Sequence, residues 1–204
     1  MIGGEVPLPR VLLSARDRLP PAGDGDGVLF HDLGLTELIR LSAAAGRPAA
    51  VDMDTVEGLS PDAAAVTFVA ERLGIRAMIT RRPALALHAV KLGCLVLLHV
   101  HCLDSTGFQR ALESHPGQPV GTALSPGVVL EHLAPELRGK LPKPVLAYGL
   151  VRRPEDLDAA LAAGASAVMT TEQHLSLPFR GRVGRGFDQM PARPPQSKPG
   201  RVPP

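Results

Sequence analysis

Apolar residues fall along this chain in short runs of three to seven, separated by longer stretches with helical spacing. The β-type runs are Val11–Ser14, Val28–Phe30, Ala49–Met53, Ala77–Thr80, Leu95–His101, Val120–Leu124, Val145–Gly149 and Ala167–Thr170. Each is too short for a helix and rich in Val, Leu, Ile and Ala, as expected of strands buried on both faces. Between them the spacing predicts helices over Leu35–Ala45, Asp62–Leu73, Ala84–Leu92, Thr106–Ser114, Val128–Leu137 and Glu155–Ala163. Pro61, Pro83 and Pro154 stand at helix starts, while Gly46, Gly74, Gly93 and Gly164 each follow a helix just before a strand. That asymmetry is the usual punctuation, because proline lacks the N–H a first turn leaves unpaired and glycine tolerates the left-handed exit. The segment Asp17–Gly27 contains PPAGDGDG and reads as a loop or a single turn.

Eight strands alternating with helices imply a parallel sheet, and eight is the number that closes a barrel. The expected fold is α/β, a compact (β/α)8 TIM-type barrel over residues 1–176. An open doubly wound sheet is the alternative. Residues 177–204 read LPFRGRVGRGFDQMPARPPQSKPGRVPP, with no apolar periodicity. Such a Pro- and Gly-rich segment cannot bury enough surface to offset its ordering entropy, so it is expected to be a disordered tail.

Composition narrows the class. The chain has 204 residues, no Trp, one Tyr and 45% hydrophobic residues, so its core is aliphatic. No apolar run reaches the roughly 20 residues of a membrane span. The start, MIGGEVPLPR, lacks the apolar stretch of a signal peptide. Cys94 and Cys102 are too few for a disulfide framework and read as reduced thiols of a soluble, cytoplasmic protein. The net charge of +2 is uneven: the tail holds Arg180, Arg182, Arg185, Arg193, Lys198 and Arg201 against Asp188 alone. The body is therefore net acidic. Bulk attraction to nucleic acid would rest on the tail, whose RGRVGRG piece is similar to weak RNA-binding segments.

In a parallel barrel the ligand site lies at the C-terminal strand ends. The polar residues there are Arg16, Asp17, His31, Asp32, Asp52, Asp54, Glu57, Arg81, Arg82, His99, His101, Asp104, Ser125, Arg152, Thr170 and Thr171. The stretch PVLAYGLVRRPEDLDAALAAGASAVMTT is the sharpest. A strand ending at Gly149, a helix starting at Pro154 and a strand ending at Thr170–Thr171 match a barrel phosphate cradle. Gly149 would let backbone N–H groups approach, the helix start would favour an anion, and Arg152 would add a charged contact. The pairs Asp52/Asp54 and His99/His101 each share a strand face and leave a divalent-metal site open as an alternative. No GxSxG elbow, P-loop or CxxC occurs. No cofactor motif is present either. Glu57 and Asp104 stand as candidate acid–base residues, but nothing in the sequence assembles a nucleophile with a base, so a non-enzyme is expected.

The stretches VDMDTVEGL, MITRRPALALHAVKLG, CLDS, LSPGVV and GLVRRPEDLDAALAAGASAVMTT, in that order, span Val51 to Thr171. Together they resemble the glycerol-3-phosphate-responsive antiterminator family of bacteria. The resemblance implies a barrel that binds glycerol 3-phosphate as a signal and then binds the leader RNA of glycerol-use genes, blocking terminator formation. The matching positions are Asp54, Gly58, Arg82, Asp104, Pro126, Gly127, Gly149, Arg152 and Thr170. The implied ligand site is Gly149, Arg152, Thr170, Thr171, Arg82, Asp54 and Gly127. RNA contacts are expected at Arg81, Arg153, Arg180, Arg182 and Arg185, with no membrane contact and with room for a homo-oligomer. The chain departs from the family pattern at Asp52 (usually His), His99 (usually Arg), Ala123 (usually Glu), Tyr148 (usually Gly) and around Ser176 (usually aromatic). Exchanging Arg for His removes a permanent charge and a two-pronged donor. Tyr148 either fills the ligand's space or hydrogen-bonds the ligand. Two other readings remain open: a barrel enzyme acting on a phosphorylated three-carbon compound, and a degenerate member without a ligand.

Overall fold

The computed structural model describes residues 8–21 and 26–176. Eight parallel strands close a barrel: β1 (Val11–Ala15), β2 (Gly27–Phe30), β4 (Ala49–Asp52), β6 (Ala77–Thr80), β7 (Leu95–His101), β8 (Gly121–Ser125), β9 (Val145–Tyr148) and β10 (Ala167–Thr170). Two-residue strands β3 (Leu33–Gly34) and β5 (Val56–Glu57) pair outside it. Closure runs through β1 against β10, with Leu13 opposite Thr170. The helices are α1 (Leu35–Ala44), α2 (Ala63–Glu71), α3 (Pro83–Lys91), α4 (Ser105–Glu113), α5 (Pro135–Gly139) and α6 (Pro154–Ala162). The expected closed barrel is therefore present, and the open sheet is not. The expected tail, 177–204, lies outside the described residues, and with it Arg180, Arg182 and Arg185. Among the described residues no helix is long and apolar enough to cross a membrane.

The core follows from strand alternation. Leu12, Leu29, Ala50, Ile79, Leu97, Ala123, Leu146 and Met169 fill the barrel interior. Their neighbours in sequence, such as Val28, Val51, Val96 and Val168, face the helices instead. Counting on by two from the interior set puts Ser14, His31, Asp52, His99 and Tyr148 in one polar layer above it. That layer is the floor of the barrel mouth.

One expectation changes, and one pairing is new. The single helix over Val128–Leu137 is a 3-10 turn, Gly127–His132, followed by the short α5. Pro135 is the cause: it disfavours helical backbone at the residue before it, and Ala134 is extended with ψ 143. The pairing of β3 with β5 was invisible in two-residue strands. It ties the loop after β2 to the loop after β4, with Leu33 opposite Val56.

Candidate functional site

Two polar networks line the mouth. In the first, Ser14 at the end of β1 lies 2.7 Å from His31 Nε2, and His31 Nδ1 lies 3.0 Å from Asp32 Oδ2. Asp32 has left-handed backbone with φ 49, and its N–H donates to Thr55 Oγ1 at 3.1 Å. Arg16 approaches the same carboxylate at 3.1 Å. Burial lowers the His31 pKa, against the opposing pull of Asp32, so the imidazole is neutral at pH 7.

The second network centres on Asp52. Its Oδ1 accepts the Asp54 N–H at 3.2 Å, and its Oδ2 accepts the Tyr148 hydroxyl at 3.2 Å. His99 Nδ1 stands 3.8 Å from the same Oδ2, and its ring lies 4.6 Å from the Tyr148 ring. Burial lifts the Asp52 pKa to about 6, although the Asp54 N–H and Tyr148 pull it down. Burial, with His101 and Arg81 nearby, lowers His99 to about 4. Burial and the Asp52 charge raise the Tyr148 phenol far above its ordinary value, which keeps it a donor. Tyr148 thus caps the mouth and spends its hydroxyl on the protein's own carboxylate.

Asp54 turns away from Asp52. Its carboxylate accepts from Thr80 Oγ1 at 3.1 Å, the Arg81 N–H at 2.5 Å and Arg82 Nε at 3.0 Å. Burial alone would raise its pKa, but these donors hold it low. So Arg81 and Arg82 are organised by Asp54, with their guanidiniums exposed. The metal alternative does not assemble: among the described residues no group of three or more His, Cys, Asp or Glu could hold an ion. Asp54 is committed to β6, and His101 lies exposed beyond His99.

At the phosphate-cradle positions, β9 stops at Tyr148, and Gly149 and Leu150 are both left-handed, with φ 78 and 62. The Gly149 carbonyl accepts the Gly127 N–H at 3.0 Å. A Cβ on Gly127 would come within 2.8 Å of Ala147 C, so glycine there permits the β8 loop to touch the end of β9. The start of α6 is already capped: Asp156 accepts the N–H groups of Arg152 and Arg153 at 3.2 and 3.0 Å and also pairs with the Arg153 guanidinium. The Arg152 guanidinium makes no ion pair among the described residues. Thr170 is buried and donates to the Val151 carbonyl at 2.6 Å, whereas Thr171 is exposed and continues the interior parity of Met169. Asp104 caps α4 by accepting the Gly107 N–H at 2.7 Å. Gly58 and Pro126 shape loops, Gly58 with φ 81.

Sequence reasoning named His31 and Asp32 but missed Ser14. The signal was available: Ser14 breaks the apolar run of β1 two residues after the interior Leu12. Asp156, in the first turn of α6, was not singled out from the sequence, yet its side chain takes the N–H groups of Arg152 and Arg153 just ahead of the helix.

No curated protein matches this chain. Among solved structures, a glycerol uptake operon antiterminator regulatory protein from Listeria monocytogenes is similar, with TM-score 0.68 and 23% identity over 81% of this chain and 93% of that one. A glycerol uptake operon antiterminator-related protein from Thermotoga maritima aligns with TM-score 0.63 and 27% identity, over 81% of this chain and 96% of that one. A deoxyribose phosphate aldolase from Aeropyrum pernix shares the fold, with TM-score 0.61 and 16% identity over 86% and 91%. The model of the glycerol-3-phosphate responsive antiterminator family matches residues 29–176, which run from β2 through the last turn of the barrel, and the chain belongs to that family.

Proposed function

We propose that this chain senses glycerol 3-phosphate, or a close phosphate ester, at the C-terminal face of its barrel, and that the liganded form binds leader RNA. The family match carries this reading, because it spans nearly the whole barrel. The cations around the mouth support it. Among the described residues the Arg152 guanidinium makes no ion pair, and it follows the left-handed Gly149–Leu150 turn. A phosphate there would meet the Arg152 side chain and Thr171 rather than the N–H groups that Asp156 takes, whereas Arg82, held by Asp54 after β6, stands three strands away round the barrel. Gly127 shapes the adjoining loop, and buried Thr170 braces the end of β10 through its bond to Val151.

RNA recognition needs a folded surface, since one leader must be chosen among many RNAs. Arg81 and Arg153, whose side chains are 55% and 72% exposed, supply phosphate contacts on that face. The ligand must bind more tightly to the RNA-competent form, and RNA must then tighten ligand binding by the same factor. The acidic balance of the body limits the footprint to this local patch.

The test has two arms. Glycerol 3-phosphate at about a hundred times its Kd should add about 2.7 kcal/mol of stability in thermal unfolding, and glycerol far less. Leader RNA should bind more tightly with the phosphate ester than without it, at both low and high salt. Equal RNA affinity in the two ligand states would refute the sensing mechanism. Steep salt dependence without ligand dependence would mark nonspecific phosphate contact alone.

A further inference from the structure

We infer that Ser14, His31 and Asp32 form a nucleophile, a base and an orienting carboxylate that open small carboxylic esters at the barrel mouth. This inference stands apart from ligand sensing and RNA binding. The chain of contacts sets the proton positions. Asp32 can only accept, so His31 Nδ1 carries the hydrogen of the 3.0 Å bond. Nε2 is then left with its lone pair, 2.7 Å from Ser14 Oγ, and the serine hydroxyl must donate to it. The His31 side chain is only 4% exposed, which favours the neutral form a base needs.

The position of Asp32 is not what burying a histidine requires. A backbone carbonyl would satisfy Nδ1 without strain. Instead, a non-glycine residue is held at φ 49, in backbone that disfavours a side chain. The Thr55 hydroxyl, the Arg16 guanidinium and the pairing of β3 with β5 keep it there. Backbone strain retained at a mouth residue, with its carboxylate aimed at an imidazole, marks a functional arrangement. Ser14 itself is only partly buried and stands one residue before the end of β1, on the face where barrels of this kind carry their chemistry.

The reaction balances with water as the only co-reactant. Ser14 Oγ bonds to the ester carbonyl carbon while its proton passes to His31 Nε2. The imidazolium so formed is stabilised by Asp32. When the tetrahedral adduct collapses, the bond to the alcohol oxygen breaks, and that oxygen takes the proton from Nε2. Water then gives a proton to Nε2 and attacks the acyl-serine. Collapse frees the carboxylic acid, and Ser14 recovers its proton. The guanidiniums of Arg16 and Arg81 at the rim favour esters that carry an anionic group.

The test treats the full chain with a fluorophosphonate. Ser14 Oγ would form the phosphorus–oxygen bond and expel fluoride. Peptide mapping should find one label per chain, on Ser14. Labelling should be lost in Ser14→Ala, slow about 100-fold or more in His31→Gln, and persist in Ser114→Ala. Its rate should rise with pH through a midpoint below the ordinary histidine value of 6.5 and be level at neutral pH. p-Nitrophenyl acetate should release one equivalent of nitrophenolate per chain in a burst. Label on another residue, no label, or His31→Gln reacting at the parent rate would each overturn the inference. Mapping the parent reads the result even if a variant fails to fold.

Discussion

The pair Asp52 and His99 makes the strongest physical prediction. One pH unit of difference between folded and unfolded ionisation is worth about 1.4 kcal/mol. Asp52 is raised from 3.8 to about 6, so the folded state keeps its proton longer. Its contribution to stability therefore declines as pH rises from about 4 to about 6. His99 is lowered from 6.5 to about 4, so the folded state resists protonation. Its contribution declines in the other direction, as pH falls from 6.5 to about 4. Each effect amounts to roughly 3 kcal/mol across its window, and the two nearly cancel in the parent. Between those limits Asp52 keeps its proton and His99 is without one, each because of its own burial. Asp52→Asn exposes the histidine effect alone while its amide oxygen still accepts from Tyr148. Relative to pH 7, this variant should lose about 2–3 kcal/mol at pH 4.5. His99→Gln exposes the carboxylate effect and should gain about 2 kcal/mol over the same change. Urea unfolding at the two pH values measures both, and His31 contributes equally to all three proteins. If the two variants move in the same direction, the opposed ionisation argument is wrong.

Four other perturbations test the frame around the site. Asp156→Ala removes the acceptor of the Arg152 and Arg153 N–H groups and should cost about 1–2 kcal/mol in urea unfolding at pH 7. Because Asp156 lies at about 2, its stabilising contribution is complete above 3.8 and should fade only as pH falls through about 2. Gly127→Ala drives a Cβ to within 2.9 Å of Gly149 O and Tyr148 N and should cost about 1–3 kcal/mol in thermal unfolding. Gly149→Ala meets open space, so only its φ of 78 opposes it, at about 1 kcal/mol. Asp54→Ala strands the Thr80 hydroxyl and the Arg81 N–H and should cost about 2–3 kcal/mol. The same change should loosen Arg81 and Arg82, read as increased tryptic cleavage after Arg81, since the Arg82–Pro83 bond resists trypsin.

Local pattern was enough for the architecture. Runs such as Val11–Ser14 and Ala77–Thr80 could only be buried parallel strands, and Pro83 and Gly93 bounded α3 within a residue. These signals are local because helix starts, exits and strand alternation depend on the backbone within a few residues. The apolar spacing across Val128–Leu137 does not make one helix for an equally local reason, the proline at 135. The mouth was legible only as a set of polar residues after strands. Which of them meet was decided by closure. Tyr148 reaches Asp52 across 96 positions of sequence, from β9 to β4, because both project inward at the same height of the barrel. Asp54, two residues from Asp52 and of the same chemistry, joins the arginines after β6 instead. Ser14 finds His31 because β1 and β2 are neighbours, and Asp32 finds His31 because a two-strand pairing holds its backbone in an unfavoured conformation. Periodicity specifies the face on which a side chain stands. Its partner depends on barrel closure and strand register, which involve every strand at once and which no single segment encodes.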